Sequence, residues 1–246
     1  MDTKKPQLIV ALDVNTLGEA EKLVKTLDSV VDIFKVGSQL FTTSGPTAVK
    51  KIMTLRKKVF LDLKYHDIPN TVSFSTSGAV VLNIKRGAEN FIEENPGLFM
   101  LTVHIVGGKE MLEAAVKASR QKSEELKVQR PFIIGVTVLT SEEKGDNIQN
   151  LVLERALLAK EAGLDGVVVS VNEAKMIRQK FGEDFIIVTP GIRPKGADPG
   201  DQKRIATPTE AVLQGSNFLV VGRPITESDN PLESAKRILE EINAIQ

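Results

Sequence analysis

The chain has 246 residues, 41% hydrophobic and 26% charged, a composition that suits a soluble globular protein with a substantial core. Lys plus Arg and Asp plus Glu number 32 each, so the formal net charge is zero; this argues against a nucleic-acid binder working by bulk attraction. Cysteine is absent, which excludes disulfides, thiolate catalysis and cysteine-ligated zinc.

Residues 1–6 lead straight into a strand-like run with no signal-peptide core before it. No apolar stretch is long enough to cross a bilayer, so a cytoplasmic protein without a membrane partner is expected. The first strand candidate, 8–13, ends in Asp13. Thr16 with Glu19 reads as a capping box, and Ala20, Leu23, Val24 and Leu27 follow the i, i+3, i+4, i+7 rule of a helix with one buried face. A second strand at 33–37 carries Lys35, and a third at 59–64 ends in Asp62 and Lys64. Further strand candidates are 99–104, 132–138, 166–170, 185–189 and 218–222. Thr207 with Glu210 forms a second capping box, with Pro208 at the first helical position. Ile238, Leu239, Ile242 and Ile245 give the last helix an apolar stripe.

Eight strands alternating with helices over this length suggest a (β/α)8 TIM barrel of the α/β class; a doubly wound open sheet is the alternative. There is no linker, low-complexity tract or clear repeat, so residues 1–246 read as a single domain. A barrel places its active site at the C-terminal strand ends, and that is where Asp13, Lys35, Asp62, Lys64 and Arg223 fall. Alternation along the third strand points Asp62 and Lys64 to one face and Leu61 and Leu63 to the other. Mixed charges at the mouth of an apolar strand are costly to desolvate, which marks them as functional candidates.

From this point the chain resembles a known family. The run Asp62-Leu63-Lys64-Tyr65-His66-Asp67-Ile68-Pro69-Asn70-Thr71 is similar to the signature of orotidine 5'-monophosphate decarboxylases. The resemblance continues through Val136-Thr137-Val138-Leu139-Thr140-Ser141, Thr189-Pro190-Gly191-Ile192-Arg193-Pro194, Gly200-Asp201-Gln202 and Val221-Gly222-Arg223-Pro224, in the family's order and across nearly the whole chain. It implies decarboxylation of orotidine monophosphate to uridine monophosphate, the last step of de novo pyrimidine synthesis, without metal or cofactor. By that resemblance Lys64 stabilises the C6 carbanion and protonates it, Asp62 lies beside the departing carboxylate, and Lys35 and Asp67 complete an alternating row of charge. A homodimer is implied as well, with Asp67, Ile68 and Thr71 reaching the partner's site. Asp13 and Lys35 would hold ribose hydroxyls, and Pro190 would line the substrate site.

Gly222 and Arg223 follow the last strand, where many barrels bind phosphate; a turn with an incidental arginine is the other reading. The loop 191–203, broken by Pro194, Gly196, Pro199 and Gly200, is either a plain connection or a lid over the phosphate. By resemblance Arg193 and Gln202 act from it, Gln202 bridging phosphate and base. Thr140 would bond the pyrimidine edge, though it also suits a helix N-cap with Glu143 three residues on. His66 and His104, the only histidines, make a poor divalent site; core packing or hydrogen bonding behind the site is expected of both. The stretch around 83–97 looks like a charged insertion ending in a turn. Two other functions stay open: a metal-dependent sugar-phosphate barrel enzyme (a 3-keto-gulonate phosphate decarboxylase or hexulose-phosphate synthase), and a non-catalytic nucleotide binder on the same scaffold.

Overall fold

The structure is a computed structural model, and it describes residues 5–83, 97–139, 147–194 and 206–245. The short β-branched runs become eight strands: β1 (Gln7–Ala11), β2 (Ile33–Gly37), β3 (Lys58–Tyr65), β4 (Leu98–His104), β5 (Phe132–Val136), β6 (Gly166–Val168), β7 (Ile186–Thr189) and β8 (Phe218–Val221). Each pairs in parallel with the next, and β1 pairs with β8, so the sheet closes on itself. That last pairing decides for the TIM barrel over an open sheet. Around it run α1 (Leu17–Thr26), α2 (Ser38–Ser44), α3 (Pro46–Thr54), α4 (Pro69–Val81), α5 (Lys109–Leu126), α6 (Ile148–Glu161), α7 (Val171–Phe181), α8 (Pro208–Leu213), α9 (Arg223–Thr226) and α10 (Pro231–Asn243). No helix among the described residues is long and apolar enough to cross a membrane.

Both capping boxes form. Thr16 accepts the Glu19 N–H while Glu19 reaches back to the Thr16 N–H, and Thr207 with Glu210 does the same. Each such cap is worth about 1 kcal/mol. One break was not foreseen: Gly45, at φ +55°, splits the β2–β3 crossover into α2 and α3. A left-handed backbone of that kind favours glycine, which has no Cβ to clash.

The period-2 pattern sorts the strands into two apolar layers. Ile9, Ala11, Ile33, Phe60, Met100, Ile134, Val188 and Val220 fill the barrel interior. Val10, Leu12, Phe34, Val36 and Leu61 face outward against Val24, Ile52, Leu112, Ile177 and Ile238 of the surrounding helices. The N-terminal face is stapled by polar groups. Arg178 donates to the Gly215, Gly182 and Phe185 carbonyls and to Asn217 Oδ1, and Arg130 pairs with both oxygens of Asp165. These contacts leave the opposite rim to the residues that carry chemistry.

Candidate active site

One step above the inner apolar layer, side chains of the same parity turn polar. Asp13 follows Ile9 and Ala11, Lys35 follows Ile33, Asp62 and Lys64 follow Phe60, and Thr102 follows Met100. Strand register brings them together, with Ala11 opposite Lys35 and Gly37 opposite Asp62. The result is an alternating row. Lys35 Nζ lies 2.8 Å from Asp13 Oδ1 and 3.8 Å from Asp62 Oδ2, and Lys64 Nζ lies 2.9 Å from the same Asp62 oxygen. Exposure is graded along it: the side chains of Lys35 and Asp62 are 11% and 13% exposed, those of Lys64 and Asp13 36% and 49%. The inner members are thus committed to each other, while the outer two can meet a ligand.

Burial by itself would raise the pKa of Asp62, but the Lys35 and Lys64 ammoniums, with hydrogen bonds from Lys64 and Thr102, hold it below the usual carboxylate value. The carboxylate is therefore ionised at neutral pH. Because its pKa is depressed on folding, the stability it contributes is present above the ordinary value of about 3.9 and is lost as pH falls through the depressed one.

Asp62 and Lys64 do face the same cavity, but not by simple alternation. Lys64 has a left-handed backbone, φ +51°. The β3–β4 register runs Leu61 with Leu101 and then Tyr65 with Val103, so residues 62–64 bulge opposite Thr102 alone. Thr102, 1% exposed, spans the bulge: Oγ1 accepts the Lys64 N–H at 2.8 Å and donates to Asp62 Oδ1 at 3.0 Å. Sequence reading passed over Thr102. The available signal was a lone hydroxyl at an inward position of an otherwise apolar strand.

Gly37 was missed as well. A Cβ there would stand 2.9 Å from Lys35 Nζ and 3.1 Å from Asp13 Oδ1. Its backbone is extended, φ −93° and ψ −177°, so alanine is tolerated by the main chain. The flexible Lys35 tip would yield, and the damage would fall on the row rather than on the fold. Gly37→Ala is expected to lower kcat/KM about tenfold or more, about 1.4 kcal/mol of transition-state stabilisation, with the melting temperature little changed. Steady-state kinetics beside thermal unfolding checks this.

The remaining predicted residues are placed as follows. Asp67 does not join the row within its own chain. Its exposed carboxylate accepts the Ile68 N–H at 2.7 Å, and among the described residues it has no ion-pair partner. Ile68 is 65% exposed, and Thr71 is exposed on the first turn of α4. Gly222 sits beside the Asp13 rim, where a Cβ would be 3.6 Å from Ala11 Cβ and 3.9 Å from Asp13 Oδ2; Arg223 begins α9 directly after it. Pro190 ends β7's run toward the same rim, and Gly191 turns there at φ +76°. Arg193 is 7% exposed; its N–H bonds the Ala206 carbonyl at 2.9 Å, tying the two described ends of the 191–203 loop together. Thr140, Gln202, most of that loop and the 84–96 stretch lie outside the described residues. Of the two expectations for His66, core packing does not hold: it is exposed, its ring 5.9 Å from that of His104. The bulge explains it, because it carries β3 past the rim before α4 begins. Among the described residues no three or more of His, Asp and Glu are grouped so as to hold a metal ion.

A family profile described as Orotidine 5'-phosphate decarboxylase / HUMPS matches residues 6–238. The chain belongs to that family. With relatives named as decarboxylases at 44% and 45% identity, it is an enzyme of the carboxy-lyase class. The relatives named orotidine 5'-phosphate decarboxylase match over nearly their full length. The protein of Moorella thermoacetica is 44% identical over 251 residues, covering 98% of this chain and 94% of its own. That of Legionella pneumophila is 45% identical over 245 residues, covering 96% and 99%. Among solved structures, the orotidine 5'-phosphate decarboxylase of Lactobacillus acidophilus superposes with a TM-score of 0.79 at 33% identity, over 97% of this chain and 100% of that one. The closed barrel is thus shared with a solved structure of the family.

Proposed function

We propose that this chain, acting as one domain, converts orotidine 5'-monophosphate to uridine 5'-monophosphate by direct, metal- and cofactor-free decarboxylation at the Lys35–Asp62–Lys64 row. The observation that carries the reading is the ammonium of Lys64, held 2.9 Å from an ionised, largely buried Asp62 at the mouth of the barrel. Breaking the C6–carboxylate bond leaves its electron pair on C6, where the ring delocalises it poorly. A fixed ammonium offsets that charge and then gives C6 its proton; water restores the proton to Lys64. Asp62 acts on the other side of the balance. Two like charges 4 Å apart repel by about 1 kcal/mol in water and about 4 at an effective dielectric of 20. The repulsion between Asp62 and the substrate carboxylate vanishes as CO2 departs, so it favours the transition state over the bound substrate.

The rest of the rim suits the rest of the nucleotide. Asp13 and Lys35 reach the ribose hydroxyls, and Arg223 pairs with phosphate oxygens where Gly222 lets the chain approach closely. Pro190 lines the pocket, Thr140 reads the pyrimidine edge, and Arg193 with Gln202 closes the 191–203 loop over the phosphate, putting remote binding energy into water exclusion. A soluble nucleotide substrate and the absence of a membrane-spanning helix among the described residues suit a cytoplasmic enzyme.

The active unit is a homodimer. Support comes from α4, which exposes Thr71, Phe74, Gly78 and Val81 along one face, with Ile68 just before it. Phe74 is 70% exposed, an apolar load that a lone subunit leaves in water. Asp67, Ile68 and Thr71 at the head of this face reach the partner's site, where Asp67 supplies the last negative charge of the row.

The test is a decay of orotidine monophosphate absorbance in chelator-treated buffer, with product identified by chromatography. Unimpaired turnover is expected. Turnover that needs an added divalent ion points to the sugar-phosphate enzyme, and tight binding without turnover to the nucleotide binder; either overturns the proposal.

A further inference from the structure

We propose that Thr102 is a positioning residue for this decarboxylation: its hydroxyl locks the Asp62 carboxylate and the left-handed backbone of Lys64 into the one arrangement that sets the ammonium against C6. The inference rests on the proposed function of the site and concerns how that site is held.

A threonine hydroxyl has one proton to donate and lone pairs to accept. Here the proton goes to Asp62 Oδ1 at 3.0 Å, and a lone pair takes the Lys64 N–H at 2.8 Å. Both partners are chemically unusual. Asp62 must keep Oδ2 turned toward two ammoniums, and tying down Oδ1 fixes the carboxylate plane. Lys64 sits at φ +51°, a conformation an ordinary side chain leaves unless its surroundings hold it. The β3–β4 ladder supplies no regular register across residues 62–64, so the Thr102 side chain takes the place of the main-chain acceptor that the bulge removes. A residue 1% exposed, with both hydrogen-bonding functions spent on the two central members of the row, is placed to act through them and not on substrate.

Thr102→Val keeps the shape and removes the hydroxyl; Thr102→Ser keeps the hydroxyl and removes the methyl. If the hydroxyl positions the row, Thr102→Val loses roughly 10- to 100-fold in kcat, the scale of a lost hydrogen bond to a charged group, while uridine monophosphate affinity moves less than about threefold. Thr102→Ser recovers most of the loss. The groups facing Asp62 are Lys35 from β2, Lys64 from β3 and Thr102 from β4, with Asp13 behind Lys35. Removing the hydroxyl takes away one of the bonds that favour the charged carboxylate, so the acid limb of kcat/KM moves to higher pH. The carboxylate titration of Asp62, followed by carbon-detected NMR, moves the same way without any turnover. Packing alone would move neither.

A folded Thr102→Val enzyme with wild-type kcat and an unmoved Asp62 titration overturns the inference, as does Thr102→Ser behaving no better than valine. Should the valine variant not fold, Thr102→Ala is read by the same two measurements. A wild-type enzyme inert toward orotidine monophosphate strikes instead at the proposed function, and the NMR titration then decides only whether the Thr102 hydroxyl holds the Asp62 carboxylate.

Discussion

Lys64→Ala is expected to abolish turnover of orotidine monophosphate, with kcat falling about 10³-fold or more, while uridine monophosphate still binds within about tenfold of wild type. The asymmetry follows from where the ammonium acts. Uridine monophosphate has no carboxylate at C6, so the ribose and phosphate contacts proposed for Asp13, Lys35, Gly222 and Arg223 should survive. The transition state loses both the cation that offsets the charge on C6 and the proton that ends the reaction. Alanine is the informative replacement because it keeps a Cβ at φ +51° and so leaves the backbone requirement as it was; glycine would relax it. Asp62, 2.9 Å from the lost ammonium, then keeps only Lys35 at 3.8 Å and Thr102 as stabilising neighbours, and its pKa rises. The variant should therefore lose affinity for the anionic substrate more steeply as pH rises than the wild type does. Stopped assays at high enzyme concentration, beside calorimetric titration with uridine monophosphate, measure both halves. Near-normal turnover refutes the role of Lys64 as proton donor.

The features legible before the structure were those whose physics is local. Both capping boxes depend on residues three apart in one chain segment, and both form. Strand identity follows from β-branched apolar runs, and only the ends differ. The fifth and sixth strands stop at Val136 and Val168, two residues short of expectation: Thr137 and Val169 each keep one main-chain hydrogen bond to the next strand, but Ser170 is already the N-cap position of α7. The rim position of Asp13, Lys35 and Asp62 needs only the parity of side chains in a closed parallel sheet, whereas Lys64 reaches the same side through the bulge. What escaped notice depends on partners far along the chain. Thr102 matters because β4 lies beside a three-residue bulge in β3, and no window of sequence around either strand contains both facts. Gly37 matters because it follows Lys35 by two residues on the same face of β2, while the β1–β2 register brings Asp13 to that spot. The split at Gly45 had a local signal that went unread, the Gly45-Pro46 dipeptide, and the positive φ of Gly45 with Pro46 at the first position of α3 is its outcome.

Two inactive variants mixed as subunits are expected to give an active enzyme. In a two-fold dimer with shared sites, each site takes Lys64 from one protomer and Asp67 from the other. A dimer of one Lys64→Ala protomer and one Asp67→Ala protomer then concentrates both lesions in one site and leaves the second intact. Free exchange of equal amounts makes half the dimers mixed, so activity should return to about a quarter of wild type; a mixed dimer purified through two different tags should reach about half. The geometry around Asp67 makes the experiment clean. Among the described residues of its own chain the carboxylate accepts the Ile68 N–H ahead of α4, and Asp67→Asn keeps that acceptor while removing the charge. Asparagine and alanine at 67 should therefore complement Lys64→Ala equally well, since the local turn is not what is being restored. The exposed face of Ile68, Phe74 and Val81 predicts where the protomers meet, so Phe74→Glu should weaken the dimer in analytical ultracentrifugation and lower activity in proportion to the dissociated fraction. A doubly tagged mixed dimer with no activity, from partners each able to bind uridine monophosphate, would show that every subunit builds its site alone.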